Sequence, residues 1–245
     1  MRRRLVAVSA IMMMAAGVTA AQATFEKDTV KTSGGDLEIT FVGHGTLMFT
    51  FGGKVIHVDP VGRSADYSKM PKADLILITH EHGDHFDPNA IEAILTGKTV
   101  ILIPGSLSER VPGGTVMKNG DSKTVDGLKI EAVPAYNLVH MRSPGNPYHP
   151  KGRDNGYVIT FGDKRVYVAG DTENVPEMKA LKGIDVAFLP MNLPFTMTPE
   201  MVADAAKGFR PKILYPYHFG NSDTAALVAL LKDDKDIEVR IRKMN

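Results

Sequence analysis

A chain of 245 residues with 43% hydrophobic and 23% charged side chains has an ordinary globular make-up, enough for one large domain or two small ones. It contains no cysteine, which excludes disulfides, thiolate metal ligands, a catalytic thiol and a lipid anchor on cysteine. With 29 basic against 28 acidic residues and no basic run of five or more, nothing points to nucleic acid held through its phosphates.

The N-terminus reads as a secretory signal. Arg2, Arg3 and Arg4 form a charged start, residues 5–18 an apolar stretch rich in Met and Ala, and Ala21-Gln22-Ala23 a small-x-small cleavage site, so the cut is expected after Ala23. The apolar run is shorter than the ~20 residues a spanning helix needs. The expectation is therefore a signal peptide over residues 1–23, a single domain over residues 24–245, a periplasmic or secreted location and no stable membrane span after cleavage. Cleavage takes away three of the 29 basic residues and none of the 28 acidic ones, which leaves the mature chain weakly acidic.

After the signal, short strands and short helices alternate, with no Ser/Gly linker, low-complexity tract or short-period repeat. Residues 37–42, 46–51 and 55–58 predict strands joined by glycine-containing turns. Residues 75–79 and 100–103 predict buried strands. Between them Asp87 predicts a helix cap, with Pro88 in the first position, Ile91, Ile94 and Leu95 on the apolar face and Gly97 at the end. A second set follows the same logic. Strands are predicted over 128–133, 157–161, 165–169 and 186–189, and a short helix over 176–181. Thr198 predicts the cap of a helix that opens with Pro199 and stops before Pro211. A strand over 213–215, a helix over 224–231 and a strand over 237–242 close the chain. The fold class is α/β in the α+β sense: two mixed sheets facing each other, with helices outside.

The residues able to bind metal fall just past apolar strands. Asp59 follows residues 55–58. His80-Glu81-His82-Gly83-Asp84-His85 follows residues 75–79, Asp171 follows residues 166–170, and His218 follows residues 213–217. Loops at strand ends on a rigid scaffold are the usual place to assemble a site. Three imidazoles and two carboxylates within six residues point to a metal, and nitrogen and oxygen donors in this mix suit zinc, with iron or manganese also accommodated.

His80-Glu81-His82-Gly83-Asp84-His85 resembles the His-x-His-x-Asp-His signature of the metallo-β-lactamase superfamily. Val58-Asp59-Pro60, Ala169-Gly170-Asp171-Thr172 and Tyr217-His218-Phe219-Gly220 match in the same order, and the resemblance spans essentially the whole mature chain. It implies a four-layer αββα sandwich and two zinc ions per chain. His80 and His82 would hold the first metal with a third histidine. Asp84, His85 and His218 would hold the second, and Asp171 would bridge the two. A water shared between metals ~3.5–4 Å apart loses a proton near neutral pH and becomes the nucleophile. Asp84 would also act catalytically, moving a proton, and Asp59 would orient a ligand histidine or its loop.

The third histidine is His149 or His140. His149 is favoured, because Tyr148-His149-Pro150-Lys151-Gly152 resembles a His-Pro-Lys-Gly segment in one subgroup of Zn-dependent hydrolases of this superfamily, and it lies seven residues before Gly156-Tyr157. His44, in the turn Gly43-His44-Gly45-Thr46, either lines the site or serves the turn. His57 alternates along a strand and reads as a packed or solvent-facing residue. Met191-Asn192-Leu193-Pro194-Phe195-Thr196-Met197 reads first as core packing and second as a wall of the substrate pocket. It resembles a Met-Asn-Leu-Pro-Tyr-Thr-Met segment of the same subgroup, with Phe195 where those have Tyr.

The resemblance fixes a reaction type better than a substrate. The absence of cysteine sets aside lactamases with a Cys ligand, and no basic arm of the tRNA-processing nucleases is present. His82 and the lack of a flavodoxin domain set aside the flavin-linked oxygen reductases. Hydrolysis of an ester, lactone or phosphodiester in a small molecule or lipid remains. The alternatives are an iron-dependent oxidoreductase of dioxygenase type on the same fold and a metal-binding protein without turnover. The oligomeric state is not legible.

Overall fold

The computed structural model describes residues 25–244, so the signal expected over residues 1–23 lies outside the described part. Strands β1 (Glu26–Thr32), β2 (Gly35–Gly43), β3 (Thr46–Phe51) and β4 (Lys54–Val58) run as an antiparallel meander. β5 (Leu75–Leu77), helix α1 (Pro88–Ile94), β6 (Val100–Ile103) and β7 (Thr115–Val116) follow, and these strands add in parallel to complete a seven-stranded sheet in chain order.

The second sheet repeats this plan. β8 (Ser122–Val125) and β9 (Leu128–Ala135) start it, and a small separate hairpin, β10 (Met141–Ser143) with β11 (Asn146–Pro147), interrupts it. β12 (Asp154–Phe161) and β13 (Lys164–Val168) complete four antiparallel strands. Helix α2 (Pro176–Lys179), β14 (Val186–Pro190), α3 (Pro199–Phe209), β15 (Ile213–Tyr217), α4 (Thr224–Leu230) and β16 (Glu238–Val239) then add three parallel strands. Its order is β16-β15-β14-β13-β12-β9-β8.

Side-chain alternation divides the apolar residues into three layers. Leu75 and Leu77 of β5, Tyr157, Ile159 and Phe161 of β12, and Val166 and Val168 of β13 fill the space between the sheets. Their neighbours point outward. Ile76 and Ile78 pack with Ile91 and Ile94 of α1. Val158, Tyr167 and Leu214 pack with Val202, Ala206 and Phe209 of α3 and Leu227 of α4. Strands covered on both faces carry unbroken apolar runs for this reason. The result is the αββα sandwich. Among the described residues no helix is long and apolar enough to cross a membrane.

Local signals set the helix starts. Asp87 accepts from Asn89 N and Ala90 N, and Thr198 accepts from Met201 N, each before a proline. Several boundaries differ from expectation by one to three residues, and two differ as follows. α1 ends at Ile94 with Leu95 as its cap, so Gly97 lies beyond it. The last strand spans Glu238–Val239 rather than residues 237–242. Beyond it Arg240 and Arg242 turn their guanidinium groups onto Asp28 of β1. The short strands β7, β10 and β11 were not predicted, and neither were β1 and β8. Both are sheet edges rich in charged and polar residues, with little apolar signal to read.

Candidate metal centre

Parallel strands deliver their following loops to one edge of the sandwich. Asp59 follows β4, the 80–85 segment follows β5, Asp171 follows β13 and His218 follows β15. Two of these residues take left-handed backbone, Asp59 with φ 47° and His218 with φ 47°, and so does His44 at the β2–β3 turn with φ 53°. Non-glycine residues held there cost on the order of 1–3 kcal/mol each and persist where surrounding contacts over-determine them. The loops are tied together by main-chain bonds. His218 N donates to His44 O at 2.9 Å, and Asn155 N donates to Thr79 O at 3.0 Å. Gly45 has no alternative, because a Cβ there would sit 2.5 Å from the His85 ring.

Three groups of donors converge: His80, His82 and His149; His44, Asp84, His85 and His218; and His80, His85 and Asp171. In each group the ligand atoms lie within 4.8 Å of one another. His149 Nε2 lies 3.2 Å from His82 Nδ1 and 3.5 Å from Asp171 Oδ2, which is 3.8 Å from His80 Nε2. On the other side His218 Nε2 is 3.4 Å from both Asp84 Oδ2 and Asp171 Oδ2, and His85 Nε2 is 3.4 Å from Asp171 Oδ1. Ligand atoms around a tetrahedral zinc stand about 3.3 Å apart, given Zn–N bonds of about 2.0–2.1 Å. His80 Nε2, His85 Nε2 and Asp171 Oδ1 are buried without any hydrogen-bond partner, and buried polar atoms left so are rare unless a ligand claims them. The residues therefore fit a bound metal.

The far side of three of the imidazoles, those of His80, His85 and His149, is fixed. His85 Nδ1 lies 2.7 Å from Asp59 Oδ2, His80 Nδ1 lies 3.0 Å from Thr79 Oγ1, and Thr79 Oγ1 donates to Asp59 Oδ2 at 2.6 Å. His149 Nδ1 lies 2.8 Å from Asn137 Oδ1. Each Nδ1 thus serves as donor, which leaves the Nε2 lone pair facing inward. Burial holds these rings neutral. It depresses His80 well below the usual imidazole range, with the neighbouring histidines adding to the effect. It lowers His85 to about 4 and His149 to about 3. Burial also opposes the Asp84 anion, but hydrogen bonds with His218 and His44 outweigh it and hold that carboxyl well below its ordinary value.

The expected residues His80, His82, Asp84, His85, His149, Asp171 and His218 are all brought together, and Asp59 stands behind His85. His140 is in none of the three donor groups; its Nδ1 lies 2.7 Å from Glu173 Oε1. His57 is fully buried on β4, its Nε2 bonded to Pro71 O at 3.1 Å. Met191 and Met197 are core, whereas Leu193 and Phe195 are exposed. Glu173 was not foreseen. Its buried carboxylate takes donors from Asn137 Nδ2, from the main-chain N–H of Leu138, Val139 and His140, and from the His140 ring. Its place two residues after Asp171 was the available signal.

A family model described as the Beta-lactamase superfamily domain matches residues 38–218. The chain belongs to the metallo-β-lactamase superfamily. Within it, the chain is 36% identical over 195 residues to a UPF0173 metal-dependent hydrolase of Thermococcus onnurineus (strain NA1), covering 75% of this chain and 84% of that one. A solved metal-dependent hydrolase from Parabacteroides distasonis ATCC 8503 superposes with a TM-score of 0.86 at 52% identity, over 91% of this chain and 100% of the other. Igni18, a metallo hydrolase from Ignicoccus hospitalis, superposes with a TM-score of 0.68 at 26% identity, over 85% and 96%. This metallo-β-lactamase-fold protein is a metal-dependent hydrolase with a His/Asp cluster able to bind metal.

Proposed function

We propose that the hydrolase holds two zinc ions and cleaves an ester, lactone or phosphodiester bond in a small molecule or lipid. His80, His82 and His149 would hold the first ion, Asp84, His85 and His218 the second, and Asp171 would serve both. The observation that carries this reading is the position of the Asp171 carboxylate, within 3.8 Å of donors from both groups. When bound, such ions polarise the scissile group and lower the pKa of water so that it attacks near neutral pH.

The chain's own residues supply the rest. Asp59, Thr79 and Asn137 hold the imidazoles of His85, His80 and His149 in the tautomer that presents Nε2. Of the site carboxylates, Asp84 is 29% exposed, against 3% for Asp171 and 0% for Asp59, so it is the one that reaches substrate and solvent. Apolar side chains of Leu138, Val139, Leu193 and Phe195 are exposed near Asn137, whose Nδ2 donates to Phe195 O at 2.9 Å. That rim supports a substrate with an apolar portion. The Arg2-Arg3-Arg4 start and the apolar stretch behind it support a periplasmic or secreted site of action.

The test is elemental analysis of protein purified without added metal, with turnover measured on ester, lactone and phosphodiester panels. Two zinc per chain with turnover is the expected result. Bound iron with oxygen consumption, or two metals with no turnover on any panel member, would overturn it.

A further inference from the structure

A cavity of about 540 Å³ opens beside Asp84, lined by His44, Arg63, Ser64, Gly220, Asn221 and Met244. Its size lies within the usual range for small-molecule sites. We propose that it is a subsite for an anionic group of the substrate, a carboxylate or phosphate carried away from the bond that is cleaved. The proposal rests on the hydrolase reading and deepens it.

Arg63 carries the argument. Its guanidinium is half exposed and makes no hydrogen bond among the described residues, although its Nη2 comes within 3.6 Å of Asp84 Oδ2. Five other arginines are paired with carboxylates, Arg153 with Glu81, Arg165 with Glu131, Arg210 with Asp236, and Arg240 and Arg242 with Asp28, while Arg110 and Arg142 lie over the rings of Phe86 and Tyr148. A guanidinium is permanently charged and presents planar donors that match carboxylate and phosphate oxygens. Its neighbours suit the same ligand. Ser64 and Asn221 offer a hydroxyl and a carboxamide, and no carboxylate lines the cavity. His44 Nε2 and Arg63 both face the single oxygen Asp84 Oδ2, at 3.2 and 3.6 Å. If Asp84 served as a metal ligand, its charge would be shared with the ion, and Arg63 would be freer to take an incoming anion. The cavity borders the donor group of His44, Asp84, His85 and His218, so an anion there would hold the substrate with its scissile bond over the metal centre.

The experiment compares two esters of equal length, neutral 4-nitrophenyl valerate and the carboxylate-bearing mono-4-nitrophenyl glutarate, on the zinc-loaded enzyme. The wild type should favour the glutarate in kcat/KM by about tenfold or more, as expected for a charge-assisted hydrogen bond. Arg63→Ala should bring that ratio close to one, and Arg63→Lys should retain part of it. A wild type with no preference, or an Arg63→Ala enzyme that keeps it, overturns the subsite. If neither ester turns over, the choice of bond is at fault, and calorimetric titration of glutarate into the zinc-loaded protein reads the subsite separately. A Kd that rises about tenfold in Arg63→Ala supports it; no binding to the wild type, or an unchanged Kd, overturns it.

Discussion

Asn137 Oδ1 accepts both the backbone N–H of His149 and its ring Nδ1–H, each at 2.8 Å. Asn137 is held in turn by Glu173, whose Oε1 takes its Nδ2–H at 3.0 Å. A carboxylate, an amide and an imidazole thus form one chain that ends at the inward-facing Nε2 of His149. Burial works against the Glu173 anion, but the donors around it outweigh burial and keep its carboxyl below the ordinary glutamate value.

Breaking this chain should loosen the metal without unfolding the sandwich. Asn137→Ala should weaken metal affinity about 10–100-fold, the usual effect of losing a partner behind a ligand histidine. Competition with a chromogenic chelator measures it, and an unchanged affinity would show that His149 needs no support from Asn137.

The two-metal assignment predicts distinct losses. Asp171→Ala should lower zinc content below two per chain, because that carboxylate lies within 3.8 Å of donors from both proposed ion sites. His149→Ala should likewise lose metal, whereas His140→Ala should retain it, since His140 Nδ1 is committed to Glu173 Oε1 at 2.7 Å. Elemental analysis of the three variants decides. Full metal content in Asp171→Ala, or loss only in His140→Ala, would refute the assignment.

His57 makes a prediction away from the metal centre. Burial lowers its pKa to about 4, against a backbone hydrogen bond to Pro71 that acts the other way. The unfolded chain takes up this proton near pH 6.5 and the folded chain only near pH 4, so stability falls as pH drops through that window and is complete above it. The expected loss is roughly 3 kcal/mol. Urea denaturation of wild type and His57→Gln between pH 7.5 and 4 should show the variant losing less stability with acid. Parallel curves would exclude His57 as the source.

Asp28 of β1 receives Arg242 in a two-pronged pair, with Nη2 at 2.7 Å from Oδ2 and Nε at 3.1 Å from Oδ1, and it is also bonded to the Tyr215 hydroxyl. Burial raises its pKa, but the bonds with Tyr215 and Arg242 outweigh that and lower it. A depressed carboxylate stabilises the fold above its unfolded value of about 3.9, and that stability disappears as pH falls through the lower folded value. Asp28→Asn should therefore cost about 1–3 kcal/mol at pH 7. The difference from wild type should shrink below pH 4 in denaturant titrations. A constant difference across that range would mean that packing, not charge, is lost.

Much of the architecture was legible because its signals are local. Apolar runs such as residues 75–78 announce strands covered on both faces, Asp87-Pro88 and Thr198-Pro199 announce helix starts, and His80, His82, Asp84 and His85 stand within six residues. Edge strands β1 and β8 escaped because a strand half in water carries little apolar pattern.

The sequence alone determined the donor types, the absence of thiolate ligands and the placement of the candidate ligands at strand ends, since these follow from composition and from a period of two along each strand. Tertiary structure decided the pairings that span long stretches of chain. It set His149 Nε2 3.2 Å from His82 Nδ1 while His140 turned to Glu173, and it left Arg63 unspent beside Asp84. Those outcomes depend on how two sheets stack and which loops meet at their shared edge, and no local periodicity encodes a contact between residues 67 apart in the chain.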